Sequence, residues 1–330
     1  MSAGTDAGTG AARGTGAAWG AEPGPDAAAR PGWTDADVPA FWQGLGLPGL
    51  YDLHVHFLPP SIQRAVWGVF DAAGPKIGRA WPIRYRGSYE ERVEQLRALG
   101  VRRFGTLPYA HKPGVAAFLN GWAAEFAAQV PEALWSATLY PEADAATYVP
   151  ELISAGAQIW KVHVQVGEFH LDDPLLDPAW GALADAGTPV VIHAGSGPVG
   201  NAFTGPVPLR RVLERHPRLT VVVAHLGAPE YGEFLSLAEE FERTHLDTTM
   251  VFTDFFSAID EAGAYPDALL PRLADLGPKV LLGSDFPTIP YPYAHQLEAL
   301  ARLREREPRL DDDWLREVCW HTPRRLVEGG

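Results

Sequence analysis

The chain is short of several things, and each shortage excludes something. It has one cysteine, Cys319, in 330 residues. No intrachain disulfide can form, and a reducing, cytoplasmic location fits. Residues 314–320 are patterned as an amphipathic helix, so Cys319 reads as a buried structural thiol rather than a nucleophile. No apolar run approaches the roughly 18 residues of a membrane span. Positive charge is scarce: 27 Lys and Arg against 41 Asp and Glu give a net charge of −14. Such a chain suits neither nucleic acid nor an anionic membrane as partner. A small-molecule partner remains, and a hydrophobic fraction of 46% provides for a substantial core.

Residues 1–35 are mostly Gly, Ala, Pro, Thr and Asp. They lack the apolar core of a signal peptide and the branched residues of a packed element, so a disordered tail is expected. Residues 36–330 are then the folded domain. There, β-rich runs alternate with helical patterns. Strands are expected near 50–56, 101–108, 134–140, 157–166, 189–193, 219–225, 244–250 and 279–284. Helices are expected near 88–99, 114–128, 145–155, 175–186, 206–215, 230–243, 265–275, 292–306 and 311–328, with a proline-bearing loop after the first strand. Eight strands alternating with helices predict a (β/α)8 TIM barrel, an α/β fold. A doubly wound sheet is the alternative, but it more often carries a glycine-rich phosphate loop where this chain has His54-Val55-His56.

Several of these strands end on residues that bind metals. His54 and His56 are two apart, so a strand points both to one face. Two imidazoles so placed can hold one ion, at about 2.0–2.1 Å each. Alone the pair is a weak motif, and two backbone-bonded polar residues would look the same. His193 and His225 end Val-rich runs that otherwise carry aliphatic side chains, and Asp285 ends the last strand in Gly283-Ser284-Asp285-Phe286-Pro287, which also reads as a turn. Such strand ends converge on one point only if the strands are parallel neighbours, and a parallel barrel does that. The chemistry implied is a divalent metal that activates a water, with a carboxylate to take its proton.

The phrases Asp52-Leu53-His54-Val55-His56-Phe57-Leu58-Pro59, Val191-Ile192-His193-Ala194-Gly195, Ala224-His225-Leu226-Gly227 and Leu282-Gly283-Ser284-Asp285-Phe286-Pro287 together resemble the amidohydrolase superfamily, in its amidohydrolase-2 branch. The resemblance covers residues 48–328. It implies a TIM barrel and a divalent cofactor, Zn2+ first. His54, His56, His193 and Asp285 would be ligands, Asp285 also the general base, and His225 the partner of the water or the developing oxyanion. Lys161 is ambiguous. In two-metal relatives the strand-four lysine is carboxylated and bridging; the mononuclear pattern is favoured here, with Lys161 a cation that meets substrate. Lys161, His163 and Gln165 are expected on one strand face.

Substrate choice should lie in the loops. Arg84, Arg86, His111 and Lys112 are candidates for gripping a substrate carboxylate. The branch includes hydrolases, lactonases and non-oxidative decarboxylases. Hydrolysis of a small amide, lactone or ester is the first expectation; decarboxylation of an unsaturated or aromatic acid is the alternative. A non-catalytic barrel would lack members of the set, and none is missing. The helical outer surface suits a homo-oligomer, with no interface legible.

Overall fold

A run of valines commits each central strand to the barrel before any partner is considered. β5 (Val190–His193) and β6 (Val221–Val223) are Val-Val-Ile-His and Val-Val-Val, buried throughout. β-Branched side chains suit a pleated surface covered on both faces. The computed structural model describes residues 32–259 and 263–329. Its strands are β1 (Leu50–Asp52), β2 (Val101–Phe104), β3 (Ser136–Thr138), β4 (Ile159–His163), then β5 and β6, β7 (Thr244–Asp247) and β8 (Val280–Leu281). β3 to β8 pair in sequence order and β1 pairs with β2, all in parallel. Backbone bonds close both gaps. The N–H of Leu134 donates to the Phe104 carbonyl at 2.8 Å, and that of Asp285 donates to the His54 carbonyl at 2.7 Å. The barrel expected from the sequence is therefore present.

Tyr51, Leu53, Ile159, Val191, Val222 and Leu281 form one buried cluster of strand residues. A larger cluster joins the strands to the helices. The helices fall close to their expected places, for example Tyr89–Leu99, Ala145–Ala155 and Pro206–Arg215. Trp33 and Asp35 already bond to this body: the Trp33 N–H donates to Glu298, and Asp35 accepts from Tyr85 and from the Ala294 N–H. The rest of the expected tail, 1–31, lies outside the described residues.

Two differences from expectation bear on the site. Residues 60–71, read as loop because of their prolines, form a helix, Pro60–Asp71. Pro60 stands at the first helical position, where the missing N–H is not needed. A further turn, Gly74–Ile77, follows. β4 also ends at His163 and the chain turns into a helix, Val164–Gly167. Gln165 is thus not on one strand face with Lys161 and His163. Cys319 is buried as expected, and burial raises its thiol pKa. Among the described residues no helix is long and apolar enough to cross a membrane.

Candidate metal centre

The strand ends bring three donors together. Ligand atoms of His54, His56 and Asp285 lie within 4.8 Å of one another, all on buried residues. Nε2 of His56 is 2.9 Å from Oδ1 of Asp285, and Nε2 of His54 is 3.8 Å from the same atom. Asp285 is held with φ of 65°, a conformation that non-glycine residues rarely adopt and that concentrates at functional sites. Gly283 makes room behind it. A Cβ there would lie 2.2 Å from Thr249 Oγ1 and 2.7 Å from His54 Cβ.

The remaining ring atoms settle which nitrogen of each imidazole carries the proton. Nδ1 of His56 is 2.8 Å from the Leu107 carbonyl, which can only accept. Nδ1 of His54 is 2.8 Å from Oδ2 of Asp247. Both rings therefore keep a lone pair on Nε2, the atom turned toward Asp285. Two acceptors 2.9 Å apart, Nε2 of His56 and Oδ1 of Asp285, are compatible only with positive charge between or on them. The donor set thus fits a divalent cation: two imidazoles and a carboxylate, pinned from behind and shielded from water.

The electrostatics agree. Burial, and then the Lys161 ammonium, lowers the His54 pKa to about 3, so the ring is neutral. Burial alone would raise Asp285; the imidazoles of His56, His54 and His225 around it outweigh that and hold the carboxyl well below its usual range. Asp247 follows the same pattern: burial opposes ionisation, and His54 and His225 overcome it. Asp52 goes the other way. Burial pushes it up to about 7, although it accepts bonds from Tyr293, the Ser284 N–H and the His54 N–H.

Asp247 and Asp52 were not singled out from the sequence. Asp247 also accepts from the His225 N–H at 2.8 Å, tying two candidate site residues to one carboxylate. The available signal was a carboxylate closing strand seven. An expected strand of 244–250 hid it, because the strand stops at Asp247.

His193, His225 and Lys161 line the same cavity, but the three-donor group does not include them. Nε2 of His193 donates to the Gly197 carbonyl at 3.0 Å, leaving Nδ1 with the lone pair. Its ring stacks on His163 at 4.0 Å between centroids and 10° between planes. His225, with φ of 55°, donates from Nδ1 to the Thr249 carbonyl at 3.2 Å. Burial lowers its pKa, so Nε2 is an acceptor. The Lys161 ammonium is 3.1 Å from His54 Nε2, and burial lowers its pKa to about 8.

These groups form the floor of a cavity of about 930 Å³ whose walls include the helix Pro60–Asp71. His111 lies on its rim. Arg86 does not reach it: its guanidinium pairs with Asp71 at the surface. Arg84 and Lys112 are likewise absent from the lining. The structure does not bring these arginines to the cavity; Asp71, at the end of the helix Pro60–Asp71, takes Arg86 instead.

Fold and site together define a barrel enzyme with a buried His-His-Asp centre. The amidohydrolase family (Amidohydro_2) matches residues 51–328, and the chain belongs to it. No curated protein matches the sequence. Among solved structures, an uncharacterised TIM-barrel protein from Bordetella bronchiseptica is 18% identical, with a TM-score of 0.64, over 85% of this chain and 99% of that one. An amidohydrolase from Burkholderia multivorans with bound zinc is 15% identical, with a TM-score of 0.59, over the same shares of 85% and 99%. The 5-carboxyvanillate decarboxylase of Sphingomonas paucimobilis is 17% identical, with a TM-score of 0.56, again over 85% and 99%. At these identities the likeness establishes the fold alone.

Proposed function

We propose that this chain is a metal-dependent hydrolase that adds water to the carbonyl of a small amide, lactone or ester. The observation that carries the reading is the pair of acceptors, His56 Nε2 and Asp285 Oδ1, facing each other at 2.9 Å with His54 beside them. His54, His56 and Asp285, with His193 as fourth donor, would hold a divalent ion, zinc first, which when bound would supply Lewis acidity. One ion per chain is expected, since His54, His56 and Asp285 converge as a single group of donors.

The chain's own groups do the rest. Asp247 and the Leu107 carbonyl fix the two imidazoles, so no reorientation is needed during reaction. Asp285 is ionised and takes the proton of the attacking water. His225 is neutral with its proton on Nδ1, so its Nε2 accepts from that water and aims it. This differs from an oxyanion donor, which would need the proton on the other nitrogen. Lys161 supplies positive charge beside the carbonyl oxygen. That ammonium is also what supports the second reading, decarboxylation, because it can pair with a substrate carboxylate.

The test combines metal analysis with product analysis. Protein purified without chelator or polyhistidine tag should carry about one metal per chain. Ester, lactone and amide panels should release acid, followed by pH-stat. Asp285→Asn should lose about 10²- to 10⁴-fold in kcat, the range typical for removal of a general base, with its far-ultraviolet circular dichroism unchanged. Release of CO2 from an unsaturated or aromatic acid, with no hydrolysis of any panel member, would overturn hydrolysis in favour of decarboxylation.

A further inference from the structure

We infer that the substrate is neutral and carries an extended apolar body, which lies beneath the helix Pro60–Asp71 while its carbonyl sits at the His-His-Asp floor. This rests on the hydrolase reading and narrows it to a substrate class.

Three observations carry it. The first is the wall. Ile62, Val66 and Val69, spaced to share one helix face, line the cavity, and Val166, Val199 and Phe256 line it as well. About 930 Å³ is near the upper end of ligand pockets, so the space extends well beyond a small acyl group. The second is the rim. Among the described residues five large apolar side chains are exposed, and two of them, Val69 at 69% and Val166 at 38%, border this one cavity. Apolar groups left in water at a cavity mouth mark the path of an apolar ligand.

The third is the fate of the arginines. Among the described residues no arginine lines the cavity. Arg86 is paired with Asp71, Arg79 donates to the Phe255 carbonyl at 2.7 Å, and Arg92 donates to Gln63 at 2.8 Å. The lining cations are Lys161 on the floor against His54, and Lys76 on an exposed turn. A carboxylate paired with Lys76 would be screened by water and contribute little. The wall offers an acyl, alkyl or aryl body much, and a polyanion little.

The test reads binding and turnover separately, on the full-length, metal-loaded protein. Binding of 2-alkanones from butanone to decanone, which cannot be hydrolysed, is measured by calorimetry beside decanoate. Affinity should rise about three- to fourfold per methylene, as burial of hydrocarbon implies, and 2-decanone should bind at least tenfold tighter than decanoate. Lactones of growing alkyl tail should show the same order in kcat/KM. Val69→Asp, at an exposed position, should lose about tenfold or more for the long members and little for the short. Affinity flat along the series, tighter binding of decanoate, or no response to Val69→Asp would overturn the inference. Alkanones that bind as expected, with no ester, lactone or amide hydrolysed, would sink the reaction and leave the ligand class standing. Hydrolysis confined to short or charged lactones would do the reverse.

Discussion

Both ring nitrogens of His54 meet partners. Nδ1 is fixed by Asp247 at 2.8 Å, which leaves Nε2 for the centre of the site. Asp247 is therefore as much part of the site as the donors, although it touches nothing in the cavity. A carboxylate behind a liganding imidazole raises its basicity and sets its orientation. Asp247→Asn keeps the shape and removes the charge. Metal affinity, read by competition with a chelator, should fall about 10- to 100-fold. An unchanged affinity would end the orienting role. The sequence showed the His and Asp donors that the fold brings together, because ligand types are few and stand at strand ends. It did not show their supports. Asp247 and Asp52 look like any acidic residue until the fold brings them under the imidazoles.

At the scale of elements, the helix Pro60–Asp71 decides what the site sees. It is held to the barrel by Arg92 of the helix Tyr89–Leu99. That guanidinium donates to Gln63 at 2.8 Å and lies 5.1 Å from the Phe57 ring and 5.5 Å from the Trp67 ring. Arg92 is buried, and burial lowers its pKa to about 10. Replacing it with Met keeps the stem and removes the charged donor. Arg92→Met should cost about 1.5–3 kcal/mol of unfolding free energy, the worth of a hydrogen bond to a charged group, measured by urea titration. A change below about 0.5 kcal/mol would mean that the helix is held by packing alone. This element was misread from the sequence. Pro59 and Pro60 signal a loop when read locally, yet the second opens a helix whose apolar residues need a cavity to face. The strands were read correctly in place and order but too long, since several give way to irregular backbone just where they reach the site.

For the whole molecule, burial of imidazoles makes stability depend on pH. His245 lies at the start of β7, away from the site, and burial lowers its pKa to about 4 from 6.5. The unfolded chain then binds more protons than the folded one between those values. The stability from keeping His245 neutral is complete above about pH 6.5 and is lost as the pH falls toward 4. Urea midpoints measured from pH 7 to pH 4 should therefore fall. His245→Gln should fall less steeply over that window. Parallel slopes for the two proteins would show that His245 does not contribute.

The sequence alone determined the class of fold and most of the centre. Both are written in local patterns: β-branched runs at regular spacing, several of them closed by His or Asp, fit a parallel barrel. Family membership rests on the same short phrases. Tertiary structure decided the rest. The partner that orients His54 is 193 residues away. The proton positions on His56 and His225 depend on carbonyls supplied by other segments. Arg86 was expected to grip substrate and instead pairs with Asp71. A single-residue reading cannot place such groups, because which partner a long or titratable side chain meets depends on distances that exist only once the barrel has closed.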